Sequence, residues 1–301
     1  MKRILLLITA SYLIMTCQSY TQQGTTGLSF LKNGVGARAL AMGEASAAVS
    51  ADPTAIYYNP ANIARLEHVQ IHFMHKTWMQ DMKTDYIAAT APWKNLNFGL
   101  SINTTSVDDI ELRTVPGEPE GYFSARNIAI GFTTAFRLNP TLSFGVTAKY
   151  LYEKIYVDEA SGYAFDAGGH YRTPWEVDVA FSLSNIGSMS ALKDEATELP
   201  LVLRLGAGYE HPWKTIDGVV SLAADLVSYP REKTFHIHAG TEIIMKNVVA
   251  FRVGYVSGYE TRSISAGLGI RYSVFSLDYA YVPFSNSFPS SHTLSLGVTL
   301  R

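Results

Sequence analysis

The residues best suited to chemistry are His236 and His238, which lie two apart and so share one face of an extended segment, with Glu242 on the same parity further along. Two imidazoles and a carboxylate could ligate a metal such as zinc if another strand brought a further ligand, and His68 and His72 are the obvious suppliers. Polar residues lining a wet interior account for the same pattern. The familiar catalytic signatures are missing: there is no Gly-x-Ser-x-Gly, no His-Glu-x-x-His, no phosphate loop and no cysteine cluster. A membrane-face lipase would need a Ser, a His and an orienting partner together on the outward face assigned below, and the outward positions assigned there include no His. The expectation is a protein that is not an enzyme, with no catalytic, metal or cofactor-binding residue.

The elements that position these residues are short and alternating. From about Glu67 onward, fourteen segments of about ten residues carry apolar side chains on one parity and polar ones on the other, the length a tilted strand needs to cross a bilayer. The apolar parity runs through Val69, Ile71 and Phe73 in the first segment, Phe251, Val253 and Tyr255 late in the chain, and Leu294, Leu296, Val298 and Leu300 in the last. The other parity holds Lys149, Asp166, Asp178, Arg204, Asp225, Glu242, Arg252, Arg271 and Asp278. Charged residues make up 17% of the chain, below the roughly 25% of soluble domains, and no apolar run reaches ~18 residues. The membrane solution left is an antiparallel β-barrel of about 14 strands, apolar side to lipid and polar side to the lumen.

On that reading Phe251→Arg should be costly and Arg252→Ala much less so. Connections alternate in length, as barrels require. Compact ones fall at Pro92 to Asn95, Asn139-Pro140, Thr173 to Trp175, His211 to Lys214, Lys246-Asn247 and Tyr272-Ser273, three of them with a Trp beside a Pro. Long ones, expected outside the cell, run from Val107 to Phe123, Ser188 to Pro200 and Phe284 to Ser291. An even strand number puts both ends of the barrel in the periplasm.

Lys2-Arg3, the apolar run Ile4 to Met15 and the polar exit through Ser19 read as a secretory signal peptide over residues 1–19. The single cysteine, Cys17, sits in a faint lipoprotein-like box; cleavage after Ser19 would leave a chain without thiol chemistry. The remaining chain is mildly acidic, which argues against nucleic acid as a partner.

One block does not alternate. Gly34 to Leu66 is rich in Ala and small residues, with a short helix expected over Ala39 to Val49 ending at Asp52-Pro53, and a turn at Asn59-Pro60. Residues 20–66 are therefore read as a lumenal or periplasmic plug, and 67–301 as the barrel. Arg38 and the Asn59-Pro60 turn are expected to hold the plug against lumenal acids such as Asp166 or Asp225.

The same block carries a family resemblance. Gly36-Ala37-Arg38-Ala39, Ala41-Met42-Gly43, Ala51-Asp52 and Tyr57-Tyr58-Asn59-Pro60-Ala61 resemble the N-terminal motif of the PorV/PorQ family of outer-membrane proteins, distant relatives of FadL-type barrels. Ser184 to Gly187, Leu199-Pro200 and Asp278 to Phe284 resemble later landmarks in the same order. Glu44 stands where a second Gly is usual, Pro53 where an Asp is, and Asn62 where a Gly is. The resemblance implies a FadL-like barrel in the cell outer membrane, surrounded by lipid, with Gly36, Arg38, Met42, Gly43, Asn59 and Pro60 as its plug motif. It also implies a non-enzymatic part in type IX protein secretion or cell-surface attachment, binding exported cargo or partner barrels. The aromatic and apolar residues of the long connections, Tyr122, Phe123, Met189, Leu192, Phe284 and Phe288, are the candidates for that contact. The alternatives are FadL-like passage of a small hydrophobic ligand, and a structural barrel without cargo.

Overall fold

In a strand, successive side chains point to opposite faces, so a segment with one greasy parity can bury its polar parity only by curling with its neighbours into a closed surface. The computed structural model describes residues 26–78, 82–193 and 195–300; the expected signal peptide and Cys17 lie outside them. Its strands are β1 (Val69–Thr77), β2 (Lys83–Trp93), β3 (Leu96–Leu112), β4 (Gly121–Asn139), β5 (Leu142–Ile155), β6 (Asp158–Arg172) and β7 (Val177–Met189). After a small hairpin of β8 (Ala191–Leu192) and β9 (Glu195–Ala196) come β10 (Val202–Trp213), β11 (Gly218–Tyr229), β12 (Thr234–Met245) and β13 (Val249–Ser257). The last three are β14 (Ile264–Tyr272), β15 (Phe275–Val282) and β16 (Ser291–Leu300). All but β8 and β9 pair antiparallel with their neighbours, and β1 pairs with β16, closing a barrel of fourteen strands.

The parity assignment holds. Phe251, Leu268 and Leu296 are exposed on the outer face, whereas Asp178, Arg204, Asp225, Glu242 and Arg252 are buried inside. The short turns lie together at one end, where Lys246 and Asn247 both take left-handed φ of 51° and 53°, the two-residue geometry that matches strand twist. Trp93, Trp175 and Trp213 are exposed at that end, as rings at a headgroup level should be. Short turns mark the periplasmic side of an outer-membrane barrel.

Several strands run further than the apolar parity suggested. The connection expected over Val107 to Phe123 is mostly hairpin, with Leu112 paired to Gly121 and a bulge between Val107 and Ile110. The outward face also continues beyond the lipid-facing band into polar residues, including a His75–Asp85 pair at 2.7 Å, and His292 bonded to Tyr279. So outward histidines exist after all; these two sit toward the long-loop end, above the apolar band, while His211, stacked on Tyr209, lies at the short-turn end.

Inside the barrel lies the segment 26–66. Its helical turns are Ser29–Lys32, Ala37–Ala41, Ala55–Tyr58 and Pro60–Arg65. The helix expected over Ala39 to Val49 stops early, because Gly43 and Glu44 both take left-handed φ, 64° and 63°. Asp52 does not simply end a helix; its carboxylate accepts from the Thr54 amide in the turn that leads into Ala55–Tyr58. Asn59 caps the last turn by accepting from Ala61 N, with Pro60 at the first helical position.

Two expectations follow for stability. Phe251→Arg puts a cation in lipid and should cost about 2 to 4 kcal/mol near the midplane. Arg252→Ala is not the mild change that parity alone suggested. Arg252 lies buried between Glu242 and Asp278, and removing one partner of a buried pair costs about 3 to 5 kcal/mol. Urea-driven unfolding from lipid vesicles should rank both variants well below the wild type; a near-neutral Arg252→Ala would contradict the buried ion chain.

Candidate functional site

The lumenal segment is held by main-chain contact and by charge. Met42 and Gly43 press against β12 and β13 so closely that a Cβ on Gly254 would lie 2.0 Å from the Gly43 nitrogen. On the opposite wall, a Cβ on Gly168 would lie 2.0 Å from Asn59 Oδ1. Glycine is the residue that permits such approach. Polar groups then close the gaps: Asp225 accepts from the Ser46 and Ala47 amides, both at 2.8 Å, and Asn59 Nδ2 donates to the Gly169 carbonyl at 3.1 Å.

Arg38 forks onto Glu242, with Nη2 to Oε1 at 2.8 Å and Nε to Oε2 at 3.0 Å. Glu242 in turn pairs with Arg252, and Arg252 Nη1 lies 2.8 Å from Asp278. The result is a buried Arg–Glu–Arg–Asp chain from segment to wall. The acids expected to receive Arg38 do otherwise: Asp225 takes backbone amides, and Asp166 stays within the wall, accepting from Lys149 and the Asn185 amide. The segment makes contacts toward both ends of the lumen. Asn97 holds the Ile63 and Leu66 carbonyls at the short-turn end, while Gly27 N donates to Glu198 O in the long β7–β10 connection.

Above the segment, at the long-loop end, the lumen is open as a cavity of ≈ 560 Å³. Its floor is Gly34, Leu40 and Glu44; Phe30, Trp78, Tyr229, Tyr259 and Phe284 form much of the wall. The β13–β14 connection folds inward over it: Tyr259 stacks on His236 at 3.9 Å, its hydroxyl meets His238 Nε2 at 3.1 Å, and Arg262 pairs with Glu44. Burial would push the Glu44 carboxyl up, but the Arg262 guanidinium more than reverses this and holds it at about 2.

The five candidate metal ligands do not converge, and Glu242 is taken by Arg38 and Arg252. His236 and His238 face the cavity end, His72 faces the segment near Gly36, and His68 is exposed beside the start of β1. Among the described residues no group of three or more His, Cys, Asp or Glu side chains is arranged to hold a metal. Of the plug-motif residues, Gly36, Arg38, Met42, Gly43, Asn59 and Pro60 all sit in the lumen and are buried or nearly so. The loop candidates divide. Tyr122 and Phe288 are exposed (65% and 43%), Met189 is buried with Leu28 and Phe30, and Leu192 packs beside them. Phe284 stacks on Trp78 at 5.9 Å, and Phe123 meets the Tyr156 ring edge-on at 5.5 Å.

The cavity residues Lys76, Trp78 and Arg262 were not singled out from the sequence, and Glu44 was noted only as a departure from the family motif. One signal was available: Trp78 is the only Trp without an adjacent proline, and it alone of the four turns into the lumen.

Two measurements test this geometry. Glu242→Ala leaves Arg38 and Arg252 buried without their shared carboxylate, so stability should fall by about 3 to 5 kcal/mol and planar-bilayer conductance should rise. The Glu44–Arg262 contribution has a depressed carboxylate at its centre, so it is fully present above the ordinary carboxylate range and lost only as pH falls toward about 2. Protease protection of the segment should persist at pH 5 in the wild type and be weakened at that pH in Glu44→Gln.

Comparison with known proteins supports the architecture. The structure superposes on CymD, described as a monoaromatic hydrocarbon channel, with TM-score 0.64 at 12% identity over 92% of this chain and 99% of that one. It matches the Pseudomonas putida toluene transporter TodX equally well, TM-score 0.64 at 12% identity over 88% and 98%. A Pseudomonas aeruginosa FadL homologue gives 0.51 at 10% identity over 94% and 99%. At such identities the likeness defines the fold, a FadL-like barrel of the outer membrane. Sequence comparison with curated proteins finds no match. The pattern of the Uncharacterised protein family (UPF0164) matches residues 9–171, more than half of the chain, and the protein belongs to that family.

Proposed function

We propose that the barrel passes small, predominantly apolar molecules across the outer membrane, taking them up through the cavity at its outer end. The observation that carries this reading is the cavity itself: at ≈ 560 Å³ it is in the size range of small-molecule sites, opens on the long-loop side and is walled by five aromatic rings. A docking platform for proteins needs no such chamber. The fold neighbours are described as a monoaromatic hydrocarbon channel and a toluene transporter, which supports the same reading by analogy of architecture. The segment 26–66 acts here as a plug that keeps the passage shut to ions.

Service in type IX secretion is the second reading. It rests on the resemblance to PorV/PorQ proteins and on Tyr122 and Phe288, exposed at the outer end. It is the weaker of the two because Met189, Phe284 and Phe123 are engaged within the barrel's own rim.

Filling the chamber tests the first reading. Asn127 lines the cavity with its Oδ1 unpartnered, so Asn127→Trp should occupy the space without breaking a bond. Uptake of a small aromatic probe into proteoliposomes should fall to near the protein-free level, with heat-modifiable gel mobility unchanged. Uptake equal in the wild type and the Asn127→Trp variant, or absent in both while a secreted protein co-purifies through Tyr122 and Phe288, would favour the second reading.

A further inference from the structure

Among the described residues, the lysines and arginines that line the cavity are paired with carboxylates, with one exception. Lys32 Nζ lies 2.6 Å from Glu232, and Arg262 pairs with Glu44. Glu260 is exposed at the mouth, where water screens it. Lys76 is different: it is 5% exposed, lines the cavity, and among the described residues has no carboxylate within ion-pair distance. Its ammonium has a marginal contact with the Gly34 carbonyl at 3.5 Å and sits 4.7 Å from the centroid of the Trp78 ring.

Two residues that line the same cavity carry buried polar atoms without a partner. Trp78 Nε1 is a buried donor without an acceptor, and the Thr234 hydroxyl is buried and unsatisfied on the same cavity's wall. Buried polar groups are normally paired, and an indole N–H can only donate. An ammonium and an indole N–H, side by side on two residues of the chamber wall, lack an acceptor among the described residues. A single negative charge would neutralise Lys76, while a dianion would leave excess charge in a partly desolvated site. The flat walls of Trp78 and Phe284, stacked at 5.9 Å, and of Tyr229 and Tyr259 suit a ring.

We infer that the cavity is a receptor for compact aromatic monoanions, such as aromatic carboxylates, with Lys76 Nζ and Trp78 Nε1 as the donors to the anionic group. The inference rests on the uptake reading and narrows it, since a neutral hydrocarbon would leave both donors unpaired.

The test uses the full barrel in lipid nanodiscs, with phenylacetate as probe and ethylbenzene as its neutral counterpart, measured by equilibrium dialysis against empty nanodiscs. Phenylacetate should bind saturably and more tightly than ethylbenzene. Lys76→Met should weaken phenylacetate by about tenfold or more, the worth of a charged hydrogen bond, and leave ethylbenzene unchanged. Trp78→Phe, which keeps the ring and removes the N–H, should weaken phenylacetate less and again spare ethylbenzene. Heat-modifiable mobility of each variant confirms a closed barrel. Saturable ethylbenzene binding with phenylacetate insensitive to both substitutions would overturn the anion receptor and leave the uptake reading standing. Saturable binding of neither probe would overturn both.

Discussion

In hydrocarbon an unpaired backbone amide or carbonyl costs several kcal/mol, so a chain that crosses the outer membrane on strands must close on itself. Closure of fourteen strands encloses a lumen wider than their own side chains fill, because eight strands already suffice for a packed interior. Everything else in this structure answers that surplus. The polar parity of each strand points inward, the segment 26–66 fills the lower and middle lumen, and wall glycines let its main chain lie against theirs. Charge is handled in the same way: Glu242 accepts Arg38 from one side and Arg252 from the other, so that neither guanidinium is buried alone.

Period two made the wall readable. A one-residue slip would turn every side chain over, so Phe251 and Arg252 could be assigned to opposite faces from alternation alone. The position of the apolar band's upper edge was less readable, since His75 and His292 keep the outward parity of Phe73 and Leu294 after the lipid has ended. The partners of Arg38 were out of reach for a different reason. Glu242 is 204 residues away in the chain, and choosing it over Asp166 or Asp225 depends on how the segment is rotated within the lumen. The helix expected over Ala39 to Val49 failed locally, because Gly43 and Glu44 adopt left-handed backbone that propensity does not register.

The outer cavity was legible only in fragments. Its aromatic residues come from the lumenal segment, β11 and three loops, and each alone looks like ordinary packing. What sequence could not convey is that the loop bearing Tyr259 and Arg262 folds inward, so that residues from a nominally exposed connection form the roof of an interior space. The departure at Glu44 belongs to the same arrangement, for its carboxylate is what Arg262 reaches.

The segment also touches the seam where first and last strands meet. The Ala37 amide donates to Ser295 Oγ on β16 at 2.9 Å, and the Gly36 amide faces Met74 of β1. An unclosed sheet would present β1 and β16 as free edges, the most adhesive surfaces a β-protein has. Because the same few residues bridge both edges, closing the barrel around an empty lumen would forgo those bonds and strand the buried charges of β12 and β13. The segment is thereby a clasp as well as a filling, fastening from within the one seam at which the cylinder could open.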